Sequence, residues 1–350
     1  MPEIKIAGKK VGIGQKCFVI AEVAQAHDGS LGAAHSFIDA IAASGADAVK
    51  FQTHIAAAES TRDETFRVKM SGQDKTRYDY WKRMEFTPAQ WAALATHARE
   101  KGLIFLSSAF SLEAFELLKK IGMPAWKVGS GEFSSAQLLQ AMIKTKKPVL
   151  FSTGMSRYDE IDTAVKTFRK NQTPFALFQC TSTYPTRLED VGLNVLEKYA
   201  QYKCPVGLSD HSGTPYPALA AMARGINLLE LHVTFDKTMY GPDTPASVTF
   251  DELAFICKAR DAFYTMDKNP VDKNKMAEKL GKMRGLFTKS IALNKPQKKG
   301  TIIRADMLAP KKPGTGIPFS KKEKIIGLRL MRDVAPDRLL TWEDLDRAGS

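Results

Sequence analysis

His211 and His232 stand at the ends of two neighbouring apolar runs, 205–209 and 227–231, within Gly207-Leu-Ser-Asp-His211 and Leu229-Glu-Leu-His232. Each run is strand-like and follows a helix-like stretch, so in a parallel barrel both imidazoles rise from one rim, where paired neutral imidazoles can bind a divalent metal ion. Either histidine alone reads equally well as a strand cap bonded to a backbone carbonyl. Lys50 and Lys127 close two other runs, and Ser130, Ser152, Ser182 and Ser209 close or follow further ones. Two cations and several hydroxyls converging on one space suit a ligand that carries both a phosphate and a carboxylate. Gly129-Ser-Gly-Glu132 adds glycines that let backbone amides approach an anion. A single strand-end lysine also reads as a Schiff-base nucleophile or as a solvated charge. Two anion-holding lysines beside a metal favour an ionic substrate over imine chemistry, which needs a lysine of depressed pKa.

The elements that must position these groups alternate along the chain. Short β-rich runs at 17–23, 48–52, 103–108 and 125–128 are followed by amphipathic stretches at 31–44, 88–101, 112–121 and 136–145. The alternation continues through 149–152, 175–180, 206–209 and 228–232, the last followed by 250–264. Eight such units in about 250 residues predict an α/β fold, a (β/α)8 TIM barrel, with a doubly wound open sheet as the rival. Polar residues gather where the runs end: Glu22, Lys50 and Gln52, Ser107 and Ser108, Lys127 and Ser130, Ser152, Thr181 and Ser182, Ser209, Glu230 and His232. Barrel active sites are built at that C-terminal rim. One connection, 53–87, is long and carries Arg62, Arg67, Lys69, Arg77, Lys82 and Arg83 among aromatics, as a substrate-binding element or an oligomer contact does.

With 350 residues and 44% hydrophobic content, the chain can bury one large core and a small one. No apolar stretch reaches the roughly 20 residues of a membrane helix, and Met1-Pro-Glu-Ile-Lys lacks the order of a signal peptide, so the expected compartment is the cytoplasm with no membrane partner. Cys17, Cys180, Cys204 and Cys257 are widely spaced and read as buried reduced thiols. The net charge of +13 is uneven, since residues 268–350 hold 20 Lys and Arg against 9 Asp and Glu. These charges are scattered rather than blocked, which suits a solvated basic surface or anionic small molecules better than nucleic acid. The expected organisation is a barrel over 1–266, a polar Lys-rich helix-like linker over 267–287, and a compact domain over 288–350 with strand and turn units at 290–293, 300–303 and 312–316.

Several motifs carry a family resemblance. Ile20-Ala-Glu-Val23 with His27-Asp-Gly-Ser30, Gly45-Ala-Asp-Ala-Val-Lys-Phe-Gln-Thr53, Trp126-Lys-Val-Gly-Ser-Gly-Glu132 and Ser152-Thr-Gly-Met155 resemble the N-acetylneuraminate (sialic acid) synthase family. So do Cys180-Thr-Ser-Thr-Tyr-Pro-Thr186, Gly207-Leu-Ser-Asp-His211, Glu230-Leu-His232 and Gly241-Pro-Asp243, while 290–318 is similar to the antifreeze-like (SAF) domain that ends these synthases. The resemblance covers nearly the whole chain. It implies condensation of phosphoenolpyruvate with an N-acylated amino-hexose to a nine-carbon 3-deoxy-2-keto acid, with Mn2+ as the divalent ion and Mg2+ or Co2+ as alternatives.

Carried onto these residues, the resemblance implies metal ligation by His211 and His232 and phosphoenolpyruvate contacts at Lys50, Lys127, Ser130, Ser152, Ser182 and Ser209. It implies sugar contacts at Gln52, Tyr184 and Asp243, with Glu22 at the reacting centre, where it orients or deprotonates water; an ion pair with a rim lysine is its plainer role. It also implies a domain-swapped homodimer in which the small domain of one chain covers the other's barrel mouth, with Lys312 where the family places an arginine. The chain departs from the family pattern at Ala26-His-Asp-Gly29, at Ser182 and at Lys312, each of which bears on the sugar rather than on phosphoenolpyruvate. Two rival readings remain: condensation with an aldose phosphate, as in heptulosonate or octulosonate phosphate synthases, and a non-catalytic carbohydrate-binding protein.

Overall fold

A computed structural model describes residues 3–68 and 72–346; Lys69, one of the loop cations noted above, and both extreme termini lie outside the described residues. A hairpin of β1 (Glu3–Ile6) and β2 (Lys9–Gly12) precedes eight parallel strands. These are β3 (Phe18–Ala24), β4 (Ala48–Thr53), β5 (Ile104–Ala109), β6 (Trp126–Val128), β7 (Val149–Ser152), β8 (Phe175–Cys180), β9 (Val206–Asp210) and β10 (Leu228–Thr234). Each strand pairs with the next, and β10 pairs with both β9 and β3, so the sheet closes into a barrel. A short parallel strand, β11 (Ser247–Thr249), adds to the end of β10. Closure excludes the doubly wound alternative.

The outer ring comprises α1 (Leu31–Ser44), α2 (Ala56–Glu59), α3 (Arg77–Met84), α4 (Pro88–Glu100), α5 (Leu112–Ile121), α6 (Ala136–Lys144), α7 (Tyr158–Lys170), α8 (Leu193–Ala200), α9 (Tyr216–Ala223) and α10 (Phe250–Lys268). Local chemistry fixes the ends. Ser30 accepts from the Ala33 amide at the start of α1, and Thr87 with Gln90 forms a capping box ahead of Pro88 at the start of α4. The long 53–87 connection holds two short helices, α2 and α3, and Thr76 with Asp79 caps the second in the same way.

Two apolar layers result from the strand period of two. Val19, Ala21, Val49, Phe51, Phe105, Trp126 and Phe151 face outward and pack with the helices. Phe18, Ile20, Ala48, Leu106, Ala125, Leu150, Ala176, Phe178 and Leu228 fill the barrel interior together with Ile4, Ile6 and Val11 of the hairpin. The hairpin has no counterpart among the predicted elements, because its apolar positions are too few to stand out; it plugs the N-terminal end of the barrel. The four cysteines are buried and unbridged.

The chain divides into compact units between Lys268 and Asn269. The C-terminal unit begins with α11 (Lys273–Lys279) and α12 (Gly281–Phe287), then pairs β12 (Ser290–Leu293) antiparallel with β13 (Leu308–Lys311) around Ile291, Leu293, Ile303, Ile325, Leu330 and Leu340. Residues 300–303 are not a strand: Gly300 turns the chain, and only Ile302 makes a bridge, to Arg329.

Candidate active site

The inward-facing positions that are apolar at the base of each strand become polar one or two steps further along. Above Ile20 comes Glu22, above Ala48 come Lys50 and Gln52, above Leu106 comes Ser108, and above Ala125 comes Lys127. Ser152, Cys180, Ser209, Glu230 and His232 complete the ring, and all line a cavity of about 480 Å³. That volume suits a small-molecule site. Register brings the pairs together: Glu22 faces Lys50, Ser108 faces Lys127, Ser209 faces Glu230 and His232 faces Glu22 across adjacent strands. At the end of β3 a bulge between Glu22 and Ala24, with Ala24 at φ 48°, shifts the pairing with β4 beside the site.

The cavity floor is a cluster of four buried charges. Lys50 Nζ lies 2.7 Å from Glu22 and 3.6 Å from Glu230 Oε1, while Lys127 Nζ lies 3.1 Å from the same Glu230 oxygen. Lys50 also donates to Ser108 Oγ at 3.3 Å, and Lys127 to Ser152 Oγ at 2.6 Å. All four charged side chains are under 10% exposed. Burial pushes Glu22 above the ordinary carboxyl range despite Lys50. Burial also acts on Glu230, but Lys127 and Lys50 outweigh it and hold that carboxyl low. For Lys127 burial dominates and lowers its pKa, whereas at Lys50 the two carboxylates overcome burial and raise it. Glu22 Oε1 and Glu230 Oε2 are buried with no hydrogen-bond partner among the described residues.

Above the floor, Ser130 receives the Gly154 amide at 3.0 Å. A Cβ at Gly154 would come within 2.5 Å of Ser182 Oγ and 2.8 Å of Ser130 Oγ, so glycine there lets the backbone close on both hydroxyls.

His211 and His232 are adjacent, with ring centroids 5.3 Å apart. Burial holds both down to about 3, so both are neutral at neutral pH. The His211 Nδ1 faces the Thr181 carbonyl at 2.9 Å. Donation there fixes the tautomer and leaves the Nε2 lone pair toward Tyr184, whose hydroxyl donates to it at 3.1 Å. Tyr184 also stacks on the His211 ring at 4.1 Å. Over Tyr184 lies the Arg67 guanidinium, 4.4 Å from the ring centroid and 2.7 Å from Asp243 Oδ1.

The remaining wall is aromatic and acidic. His54 is stacked between Trp81 at 3.9 Å and Phe110 at 4.3 Å, and its Nε2 is 3.3 Å from Gln52 Oε1. Glu59 bonds the other His54 nitrogen. Glu64 binds the Trp81 indole at 3.0 Å and Arg77 at 3.2 Å. Glu132 is pushed up to about 7 by burial and by Glu59.

The structure thus gathers Glu22, Lys50, Gln52, Lys127, Ser130, Ser152, Ser182, Tyr184, Ser209, His211, His232 and Asp243 around one cavity. Lys312 belongs to the C-terminal unit, where its Nζ lies 5.1 Å from the Phe287 ring. Sequence reasoning gave no role to Glu230, the carboxylate that joins the two lysines. Its spacing of two from His232 puts both on one strand face, a signal that was present. The His54 sandwich and the Arg67 to Asp243 pair join residues far apart in the chain, and no local pattern announces them.

A closed barrel whose C-terminal rim holds two buried lysines, beside a hydrogen-bonding and aromatic wall, has the form of a barrel enzyme. The chain belongs to the NeuB family: the NeuB family model matches residues 37–270, and a SAF domain matches residues 288–346. It is 32% identical to the N,N'-diacetyllegionaminic acid synthase of Legionella pneumophila over 98% of both chains. It is 31% identical to the human N-acetylneuraminate-9-phosphate synthase, covering 98% of this chain and 96% of that one. Among solved structures, the N-acetylneuraminic acid (sialic acid) synthetase of Leptospira borgpetersenii, in complex with citrate, superposes with a TM-score of 0.71 at 29% identity, over 81% of this chain and 96% of that one. The enzyme is a nonulosonic acid synthase.

Proposed function

We propose that the enzyme condenses phosphoenolpyruvate with an unphosphorylated N-acyl amino-hexose, N-acetylmannosamine or a diacetamido-6-deoxyhexose, in a metal-dependent reaction that yields a nonulosonic acid and phosphate. The observation that carries this is the buried Lys50, Glu230 and Lys127 floor with its serines. Two ammonium groups already neutralised by carboxylates can exchange those partners for the carboxylate and phosphate of phosphoenolpyruvate, and the surrounding hydroxyls of Ser130, Ser152, Ser182 and Ser209 donate to the remaining oxygens.

The donor set fits a divalent ion, Mn2+ with Mg2+ or Co2+ as alternatives. Two buried neutral imidazoles stand side by side, His211 has its tautomer fixed by a carbonyl, and Glu22 keeps an unpartnered buried oxygen on the neighbouring strand. In this reading His211 and His232 are the protein ligands and the other positions fall to substrate or water; among the described residues no group of three or more His, Cys, Asp or Glu forms a ligand cluster. When bound, the ion supplies electrophilic polarisation of the acceptor's carbonyl oxygen.

Lys50 and Lys127 hold phosphoenolpyruvate with C3 toward the acceptor, while Gln52, Tyr184 and Asp243 hold the open-chain sugar, so that a bond forms between C3 and the aldehyde carbon. Glu22, poorly solvated and proton-seeking, takes the proton of the water that adds at C2. Phosphate leaves from C2 with the bridging oxygen, and Lys127 with the serines stabilises its charge. An unphosphorylated acceptor suits the far wall, because Arg67 and Arg77 are each paired with a carboxylate, Asp243 and Glu64, which leaves neither guanidinium free for a phosphate.

The same reading places the enzyme in the cytoplasm as a domain-swapped homodimer in which Lys312 of a second copy meets the N-acyl group. Among the described residues no helix is long and apolar enough to cross a membrane. Incubation with phosphoenolpyruvate, Mn2+ and a panel of N-acyl hexosamines and aldose phosphates, with product mass and phosphate release as readouts, tests the assignment. Phosphate release and a nine-carbon product with an unphosphorylated amino sugar are expected; turnover of aldose phosphates alone, or of nothing, overturns it.

A further inference from the structure

Tyr184 and Asp243 reach the cavity from loops that follow different strands, β8 and β10, and one side chain from a third connection joins them. Arg67, between β4 and α4, donates through Nη2 to Asp243 Oδ1 at 2.7 Å and toward the Pro242 carbonyl at 3.4 Å. Its guanidinium carbon lies over the Tyr184 ring, 4.4 Å from the centroid. Tyr184 in turn stacks on His211 and, while no metal ion takes that lone pair, donates to its Nε2. A guanidinium directs its N–H groups in plane and offers its face to an aromatic ring, so one Arg67 fixes both a carboxylate and a phenol. Asp243 is mostly enclosed, with 17% of its side chain exposed, and Arg67 at 41% spans from solvent to that enclosed carboxylate. The phosphoenolpyruvate floor is built from barrel strands and owes nothing to this connection.

We propose that Arg67 is a positioning residue for the acceptor: it clamps Asp243 and Tyr184 into the one geometry in which the sugar is held, and leaves the phosphoenolpyruvate end untouched. The inference rests on the phosphoenolpyruvate and amino-sugar reading given above. Steady-state kinetics of the full-length wild type, Arg67→Ala and Arg67→Lys, varying phosphoenolpyruvate and the acceptor separately with Mn2+ saturating, test it. Arg67→Ala is expected to raise the acceptor KM roughly 10- to 100-fold while the phosphoenolpyruvate KM stays within about twofold. Arg67→Lys restores the charge beside Asp243 but not the face on Tyr184, so it recovers part of the loss. An unchanged acceptor KM in Arg67→Ala, a parallel rise in both KM values, or full recovery in Arg67→Lys overturns the clamp. Wild-type protein that turns over no acceptor with phosphoenolpyruvate contradicts the functional reading itself, and the clamp falls with it.

Discussion

Glu230 Oε1 is shared by two lysine ammoniums, at 3.1 Å from Lys127 and 3.6 Å from Lys50, in a place where water is scarce. Removing one member of a buried ion cluster strands the others. Glu230→Gln keeps the shape and leaves two cations against Glu22 alone, which is expected to cost about 3–5 kcal/mol of stability in thermal unfolding. Phosphoenolpyruvate should then raise the variant's Tm more than the wild type's, because its anionic groups replace the missing charge. A variant with unchanged Tm contradicts the pairing. The imidazole pair makes a separate prediction. Saturating Mn2+, at about 100 times its Kd, is expected to stabilise the wild type by roughly 2.7 kcal/mol, and this gain should vanish in the His211→Ala, His232→Ala double variant. Equal Mn2+ stabilisation of both proteins removes these residues as ligands.

The β1–β2 hairpin and the loops after β9 and β10 separate structural work from chemistry. Ile6 is fully buried in the plug beneath the barrel, far along the strands from the polar ring. Ile6→Ala is expected to lower stability by about 2–4 kcal/mol with both KM values unchanged, a split that denaturant unfolding and kinetics together resolve. Gly213, two residues beyond His211, adopts φ +69°, and a Cβ there would sit 2.3 Å from the Pro245 carbonyl oxygen. Gly213→Ala must displace the chain around Asp243, so a loss of about 2 kcal/mol or more is expected together with a raised acceptor KM. Elements with a strong period were legible in the sequence. Residues 31–44, 112–121, 149–152 and 175–180 recur with the same bounds in α1, α5, β7 and β8, because amphipathic helices and buried parallel strands each bury a continuous apolar set. The hairpin was not, since four-residue strands carry only Ile4, Ile6 and Val11 as signal. The polar ring was legible because strand ends and the period of two predict which residues share a face. His54 between Trp81 and Phe110, and Arg67 on Asp243, were not, because tertiary packing alone brings them together.

At the scale of the whole molecule, buried titratable groups shape acid stability in two regimes. Burial holds His27, His211 and His232 near 3, so each takes up a proton only on unfolding; their contribution is complete above 6.5 and is lost as pH falls toward 3. Burial lifts Glu132 to about 7 and Asp210 to about 6, so the folded protein binds those protons first, which adds stability at low pH that is lost as pH rises through that range. The two sets oppose each other from neutral pH down to the ordinary carboxyl range, below which the histidine term continues and is joined by Glu230, whose carboxyl the two lysines hold low. Urea unfolding of metal-free protein should therefore show stability that changes little from about pH 7 to 5 and falls steeply below about pH 4. A uniform decline from neutral pH contradicts this balance. The excess of basic residues from 268 on leaves the barrel nearly neutral, so the phosphoenolpyruvate binding proposed for the site rests on placed lysines rather than on the overall field.

The chemistry assigned to the floor has one direct measurement. Phosphoenolpyruvate labelled with 18O in the oxygen that bridges carbon and phosphorus is turned over with Mn2+ and the accepted amino sugar, and the phosphate is analysed by mass. Addition of water at C2, with Lys50 and Lys127 holding the two anionic ends, requires the C2–O bond to break, so the label is expected in inorganic phosphate. Label retained at C2 of the nine-carbon product means cleavage between phosphorus and oxygen and contradicts the role given to Glu22, Lys50 and Lys127.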